Sequence, residues 1–288
     1  MNIALIPNLQ KENALDYTKR VIAKLGELGI QVHMLGEFSK YFPMPSISLY
    51  KKMEDMVPVC DMLITIGGDG TILHSAKYAA IFHKPLLGIN CGRIGFMASL
   101  EMNELDELQR LLSNEYRVEN RMMLSVVVDK QGDRQQYYAL NDAVLSKGDL
   151  SHMVDLTVFY NDKKFCDYRA DGIILSTPTG STAYSLSAGG PVIDPLTDCI
   201  LLTPISSYSL FSRSVLLNGS SKLRISPAKK QHAEVFLTVD GETSIRLETE
   251  DFVEVQRADL SVKLVQIKSQ MFYDVLTSKL LGEGNWIK

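Results

Sequence analysis

In roughly the first 112 residues, short apolar runs alternate with segments of helical period, and this alternation strongly restricts the fold. Apolar residues recur every three or four positions from Leu15 to Leu28, and Gly29 stands where such a helix would end. Alternating strands and helices build βαβ units around a parallel sheet. We predict strands at 3–6, 32–35, 62–66 and 86–89, and helices at 15–28, 72–82 and 100–112. Residues 36–48 are interpreted as a mobile connection that leads to a short helix near 50–56.

After Arg121 the apolar period changes to two, which predicts a β-rich second domain. Strand-like stretches lie at 124–128, 138–145, 154–160 and 165–176, separated by turn clusters. Asp240-Gly241 is a hairpin signal, because this dipeptide accepts the positive φ angles of a type I′ turn. The helical period returns at 270–281. A chain of 288 residues is long enough for about two domains.

Composition and charge exclude several classes of protein. The 30 Lys and Arg residues against 34 Asp and Glu residues leave a formal charge of −4, which offers no basic field for nucleic acid. No run reaches the ~18 apolar residues of a membrane helix, and the N-terminus lacks the basic start of a secretory signal. The four cysteines are widely spaced and form no CxxC pair. We therefore expect a cytoplasmic, zinc-free protein that binds neither nucleic acid nor membrane.

The passage from the strand at 62–66 into Gly67-Gly68-Asp69-Gly70-Thr71 carries the strongest local signal for chemistry. Three glycines leave backbone N–H groups uncovered, and the following helix N-terminus adds positive dipole, so the loop suits a phosphate. It matches neither the Walker A pattern nor GxGxxG. We predict Gly67, Gly68, Gly70 and Thr71 as the residues that bind ATP phosphates. The alternative is a tight turn in which Asp69 only caps the next helix.

Three further segments carry polar residues where ligands commonly bind. Residues 168–191 contain a strand that ends in a loop dense in hydroxyls and small side chains, and the loop has one aromatic ring, Tyr184, which suits a ribose and a base. Asn141 and Asp142 interrupt a strand, and residues 88–96 follow a predicted parallel strand. The plainer interpretations are an ordinary loop for 168–191 and a β-bulge for the Asn-Asp pair.

Together these four segments resemble the NAD kinase family, which phosphorylates the adenosine 2′-hydroxyl of NAD with ATP to give NADP and ADP. The long segment from Asp171 to Pro191 is the most specific part, since lipid kinases and phosphofructokinases share versions of the glycine loop. The resemblance implies a Rossmann-like α/β domain at 1–118, a β-rich, β-sandwich-like NAD-binding domain at 119–268, and a C-terminal helix at 269–288 that packs back on the first domain.

The resemblance also implies roles for the positions that match the family's motifs. Asp69 is expected to be the catalytic residue that accepts the proton of the 2′-hydroxyl. Mg²⁺ carried on the ATP phosphates is the expected cofactor, with no metal ligands from the protein. The expected NAD contacts are Asp69, Gly70, His74, Asn141, Asp142, Arg169, Asp171, Thr182, Ala183, Tyr184, Ser185, Leu186, Ser187, Ser206 and Glu242.

Three positions depart from the family's pattern. Asp142 stands where many members have Glu, Ser206-Ser207-Tyr208 stands where the family commonly has Ala-Pro-His, and Glu242 stands where several members have Gln. The resemblance further implies a homodimer or homotetramer with shared dinucleotide pockets, and NAD with ATP or polyphosphate as substrates. The alternative functions are a diacylglycerol-type lipid kinase and a non-catalytic dinucleotide-binding sensor.

Overall fold

The computed structural model describes residues 1–92, 95–148, 152–208, 212–229, 233–268 and 272–281. The chain forms two compact units. The first consists of Met1–Asn120 together with the described residues from Val262 onward, and the second of Arg121–Ser261. Each unit has its own hydrophobic core.

A parallel sheet lies at the centre of the first unit. Its strands are β1 (Asn2–Pro7), β2 (Gln31–Leu35), β3 (Ile47–Tyr50), β4 (Met62–Gly67) and β5 (Leu86–Asn90), with the short β6 (Leu100–Glu101) beside β5. The order is β5-β4-β1-β2-β3, and each of these pairs is parallel. The helices between them are α1 (Ala14–Glu27), α2 (Met53–Met56), α3 (Asp69–Ile81) and α4 (Arg110–Ser113). The βαβ prediction is confirmed.

Two segments of this unit differ from the prediction. Residues 36–48 hold a 3₁₀ turn at Gly36–Phe38 and the start of β3, which pairs with β2, so they are not simply a mobile connection. Residues 100–112 are not one amphipathic helix: β6 is followed by a 3₁₀ helix at Leu105–Gln109 and then by α4. Leu105, Leu108 and Leu111 are buried at a spacing of three, which suits the three-residue turn of a 3₁₀ helix.

The second unit is built from antiparallel strands. They are β7 (Arg117–Lys130), β8 (Asp133–Ala139), β9 (Asp142–Lys147), β10 (Val154–Tyr160), β11 (Lys163–Ala170), β12 (Gly172–Ser176), β13 (Cys199–Ile205), β14 (Val215–Asn218), β15 (Leu223–Pro227), β16 (Val235–Val239), β17 (Thr243–Leu247) and β18 (Phe252–Gln266). One sheet has the order β14-β13-β12-β9-β16-β17, and the other contains β11-β10-β15-β18. Apolar side chains of both sheets form one core. The unit is therefore a β-sandwich, as predicted.

The return to the first unit occurs within β18. The unit boundary falls between Ser261 and Val262, and Leu264 pairs in parallel with Leu86 of β5. The sequence-based boundary at 269 lies later, because the strand period continues through 266 without a break. A final helix, α6 (Phe272–Leu281), follows in the first unit. A short helix, α5 (Tyr184–Ser187), belongs to the second.

Candidate active site

The glycine-rich loop leaves the carboxyl end of β4. β4 ends at Gly67, Gly68 is the N-cap of α3, and α3 begins at Asp69, three residues before the predicted start at 72. The first N–H groups of a helix have no acceptor inside that helix, so they remain available to an anion. A Cβ atom added at Gly68 or Gly70 would meet no atom of the described residues within 4 Å. The space over the loop is therefore open.

Thr71 supports this loop from inside. A Cβ atom at Gly67 would lie 2.2 Å from Thr71 Oγ1, so a side chain does not fit at Gly67. The Thr71 hydroxyl accepts a hydrogen bond from Asn8 Nδ2 at 3.4 Å, and the Thr71 N–H donates to Gly68 C=O at 2.9 Å. The Thr71 hydroxyl accepts the bond from Asn8 and keeps its O–H as a donor, so the role of Thr71 as a phosphate ligand stays a prediction. Asn8, which the sequence did not single out, directly follows β1.

Both carboxylate oxygens of Asp69 are held by the loop that follows β5. Oδ2 accepts the Phe96 N–H at 2.8 Å, and Oδ1 accepts the Met97 N–H at 3.1 Å. A Cβ atom at Gly95 would lie 2.0 Å from Oδ1. The capping alternative for Asp69 is wrong, because the cap position is Gly68 and these oxygens bond to another segment.

The segment at 88–96 thus acts on Asp69 through its backbone. The sequence places Gly95 only at a ligand-binding edge, although a glycine at this position is the signal for a close approach to Asp69. Arg93 and Ile94 of the same segment lie outside the described residues. His74 lies one helical turn after Gly70 on the exposed side of α3, so an i, i+4 relation places it beside the start of the helix.

In the second unit, Asp240 anchors the predicted Asn-Asp pair. The Asp240 carboxylate accepts the N–H groups of Leu140, Asn141 and Asp142 at 2.7, 2.9 and 3.0 Å. Asp240 and Gly241 have φ angles of 49° and 72°, so the positive φ values predicted for the β16–β17 turn are confirmed. The sequence identified Asp240 only as a turn residue and missed its role as an anchor.

Two buried carboxyl groups lie close together at this anchor. Asp142 is 6% exposed, and burial, reinforced by the charge of Asp240, raises the pKa of Asp142 to about 7. Burial also raises the pKa of Asp240, against the lowering effect of its three N–H donors. The Asn141 amide makes no hydrogen bond within the described part of the chain. A buried acid and an open amide side by side are suited to recognise a polar ligand.

The hydroxyl-rich segment packs against Asn141 and is only partly available to a ligand. The Thr177 hydroxyl donates to Leu140 C=O at 2.5 Å, and a Cβ atom at Gly180 would lie 2.1 Å from Asn141 O. Ser185 is fully buried and its hydroxyl pairs with Thr203 Oγ1 at 2.9 Å.

The predicted contact from the Ser185 hydroxyl is therefore not supported, because that group is already satisfied inside the unit. The predicted residues that remain exposed or half-buried are Thr182, Ala183, Tyr184, Leu186 and Ser187. Tyr184 is 47% exposed, so its ring is free to contact a ligand.

Three of the remaining predicted contacts, Arg169, Asp171 and Ser206, lie near the ends of β11, β12 and β13. Asp171 forms an ion pair with Lys147 at 2.7 Å. Arg169 is exposed, with its Nε 4.0 Å from Asp155, and Ser206 has a φ angle of 46°. Glu242 is exposed beside the β16–β17 turn.

Within the described residues, no three His, Cys, Asp or Glu side chains are grouped so that they could hold a metal ion. Among the helices of the same residues, none is long and apolar enough to span a membrane.

The α/β unit therefore carries a glycine loop at a helix start, and the β-sandwich carries the polar residues Asn141 and Asp142 beside Asp240; the family comparisons assign this chain to the kinases. Residues 3–117 match the ATP-NAD kinase N-terminal domain and residues 140–267 match the ATP-NAD kinase C-terminal domain. The chain belongs to the NAD kinase family.

Individual NAD kinases are similar to this chain over most of its length. An NAD kinase of Natranaerobius thermophilus is 36% identical over 285 residues, covering 98% of each chain. An NAD kinase of Symbiobacterium thermophilum is 45% identical over 77% of this chain and 79% of its own. Yeast NADH kinase complexed with NADH superposes with a TM-score of 0.90 at 28% identity, covering all of this chain and 89% of that one. An Archaeoglobus fulgidus NAD kinase in complex with ATP shares the fold, with a TM-score of 0.77 at 22% identity, covering 99% of this chain and 100% of that one.

Replacing Gly95 by Ala should disturb the bonds to Asp69. The new Cβ atom would lie 2.0 Å from Oδ1, so the carboxylate or the loop must move and at least one charge-assisted hydrogen bond is lost. We expect the free energy of unfolding to fall by about 2 kcal/mol, measured by urea denaturation. Gly92→Ala is the matched control, because a Cβ atom there meets nothing described within 4 Å. Equal stability of the two variants would contradict the expectation.

Asp142→Asn should change how stability depends on pH. The folded-state pKa of Asp142 is about 7, whereas an unfolded Asp titrates near 3.9. Between these values the folded state keeps a proton that the unfolded chain has released, so stability falls as pH rises from about 4 to about 7. Asn does not titrate.

The variant should therefore exceed the wild type in unfolding free energy by ~1–3 kcal/mol at pH 8, and by less at pH 5. Urea denaturation of the ligand-free protein at both pH values measures this. Asp259→Asn, at an exposed position, is the control for the same substitution at the surface. A difference for Asp142→Asn that is the same at pH 5 and pH 8 would refute the assignment of the titrating group.

Proposed function

We propose that the chain transfers the γ-phosphoryl group of ATP to the adenosine 2′-hydroxyl of NAD, which gives NADP and ADP. The observation that carries this proposal is that both family domains match this chain. In the chain, Asp69 of the glycine loop is the first residue of α3. The yeast NADH kinase was solved with NADH and the Archaeoglobus fulgidus NAD kinase with ATP, and these complexes support the two substrates.

The glycine loop is proposed to receive the ATP phosphates. Phosphoryl transfer depends mainly on in-line positioning and on neutralising charge on the transferred group. The open space over Gly68 and Gly70 allows an anion to approach the N–H groups and the positive end of α3. Mg²⁺ bound to the phosphates supplies the further positive charge. The contacts of Thr71 with Asn8 and Gly68 stabilise the loop.

Asp69 is proposed to orient the attacking hydroxyl and to accept its proton. Each carboxylate oxygen can accept more than one hydrogen bond, so the bonds from Phe96 and Met97 leave room for the 2′-hydroxyl. These bonds also fix the direction of the carboxylate. Because a carboxylate is a weak base for an alcohol, proton transfer belongs late in the reaction.

The second unit is proposed to recognise the dinucleotide. Asn141 offers an amide that makes no other bond in the described residues, and Asp142 offers a carboxyl group that carries a proton below about pH 7. The exposed Tyr184 ring provides a flat surface for a base. Thr182 and Ser187 add hydroxyls, while His74, Arg169, Asp171, Ser206 and Glu242 remain proposed contacts from the family resemblance.

A direct test separates this function from the alternatives. The protein is incubated with Mg-ATP and either NAD or diacylglycerol, and NADP and phosphatidic acid are measured. Formation of NADP alone supports the proposal, and phosphatidic acid would favour a lipid kinase. Dinucleotide binding with neither product would identify a sensor. The cytoplasmic location stays a prediction, based on widely spaced cysteines that form no CxxC pair in the sequence.

Asp69→Asn should retain dinucleotide binding and lose turnover. The amide keeps the shape of the carboxylate, but its nitrogen faces a backbone donor and accepts no proton. We expect kcat to fall by roughly 10² to 10⁴, with the Kd for NAD within a few-fold of wild type by calorimetry. Asp55→Asn, at an exposed position of α2, is the control and should leave kcat unchanged. Turnover above a tenth of wild type would show that Asp69 is not the proton acceptor.

We further propose a homodimer or homotetramer in which a neighbouring copy completes each dinucleotide pocket. Arg169, Asp171 and Ser206 are the residues proposed to lie at the junction. Tyr208 is 80% exposed, and its N–H donates to Arg169 C=O at 2.9 Å. A large aromatic side chain left open beside these polar residues suits burial against an identical subunit.

Mixed oligomers test the shared pocket. Asp69→Asn subunits mixed with Asp171→Ala subunits should regain activity, because a mixed dimer can contain one pocket with both residues intact. Lys147→Ala removes the partner of Asp171 in the same chain and shows how much activity depends on that ion pair alone. A fully active monomer by sedimentation, or no recovery after proven subunit exchange, would rule out the shared pocket.

A further inference from the structure

The chain between β18 and α6 is anchored to residues that follow β5, all within the first unit. The Ile267 N–H donates to the buried Ser99 Oγ at 2.8 Å, and Arg110 Nη1 donates to Ile267 C=O at 3.2 Å. Lys268 Nζ forms an ion pair with Glu104 at 2.8 Å. These bonds fix the point from which the C-terminal segment departs.

Beyond this point, α6 contacts the loop that holds Asp69. The ring centroids of Phe272 and Phe96 lie 6.0 Å apart with a 42° angle between the planes, within the ~4.5–7 Å range of attractive aromatic pairs. Phe96 is also the residue whose N–H donates to Asp69 Oδ2 at 2.8 Å. A single residue therefore connects the C-terminal helix with the Asp69 carboxylate.

This contact matters because the loop at 95–99 is held by individual contacts and not by a helix or a strand. Its far end is fixed to β5 by the Ser99 N–H, which donates to Gly88 C=O at 3.0 Å, whereas its first residue, Gly95, has no side chain. Phe96 is half-buried, so packing of its ring restricts the backbone angles that direct its N–H. A reacting group must be held within about 0.5 Å of its productive position.

We propose that Phe272 is a positioning residue for phosphoryl transfer, which acts on Asp69 through Phe96. Its ring packs against Phe96 and keeps the Phe96 N–H directed at Asp69 Oδ2. The bonds at Ile267 and Lys268 hold the described residues that precede α6. This inference rests on the proposed function, because it takes Asp69 as the catalytic residue.

The test replaces Phe272 by Ala and measures both catalysis and loop order. We expect kcat for ATP-dependent NADP formation to fall about tenfold or more, with the KM values for NAD and ATP within about twofold. A peptide covering 95–99 should exchange its amide hydrogens faster, because the bonds from Phe96 and Met97 to Asp69 open more often. Phe272→Tyr keeps the ring and should restore both properties.

Thr277→Ala is the matched control, since Thr277 is exposed on the same helix and its hydroxyl donates only to Tyr273 C=O. It should leave kcat and amide exchange at wild-type values. If Phe272→Ala proves too unstable to assay, Phe272→Leu keeps apolar volume without the ring and should show the same two effects.

Unchanged kcat in Phe272→Ala, an equal loss in Thr277→Ala, or a loss of kcat without faster exchange at 95–99 would overturn the inference. If the wild type forms no NADP, the proposed function fails. The exchange data would then still decide whether Phe272 orders the loop.

Discussion

The parallel register of β4 and β5 is the constraint on which the site of the first unit depends. Gly67 pairs with Asn90, and the Cys91 N–H donates to Gly67 C=O at 2.8 Å. The segments that leave the two strands therefore start side by side, at the edge where α/β sheets bind ligands. One segment opens α3 with Asp69 and the other supplies the Phe96 and Met97 N–H groups, so an offset of this register would separate the carboxylate from its donors.

The second unit uses a carboxylate in the same way, within an antiparallel sheet. Asp240 at the tip of the β16–β17 hairpin gathers the N–H groups of Leu140, Asn141 and Asp142. Such charge-assisted bonds are stronger than neutral ones, and they hold the backbone of residues 140–142 in place. The arrangement has an energetic cost, because Asp142 is buried beside a second acid. Perturbed acids of this kind are typical of functional sites.

Much of the fold could be predicted because its signals are local. The buried runs of β1 and β4, the amphipathic face of α1 and the Asp240-Gly241 turn each depend on residues close together in the chain. Predictions failed where elements are short. β3 lies beside Pro43 and Pro45 and spans four residues, and the leucines from 105 to 111 fit a 3₁₀ spacing as well as a helix.

The sequence by itself determined the βαβ half, the β-rich half and the glycine loop, because periodicity and residue type are sufficient for these. Only the tertiary structure decided which groups are free to act. It brings the Asp69 carboxylate within hydrogen-bonding distance of backbone N–H groups 27 and 28 positions away in the chain. It does the same for Asp240 with N–H groups 98 to 100 positions away. It also buries the Ser185 hydroxyl against Thr203. The physical reason is that such bonds depend on strand register and packing between distant segments, which no local pattern encodes.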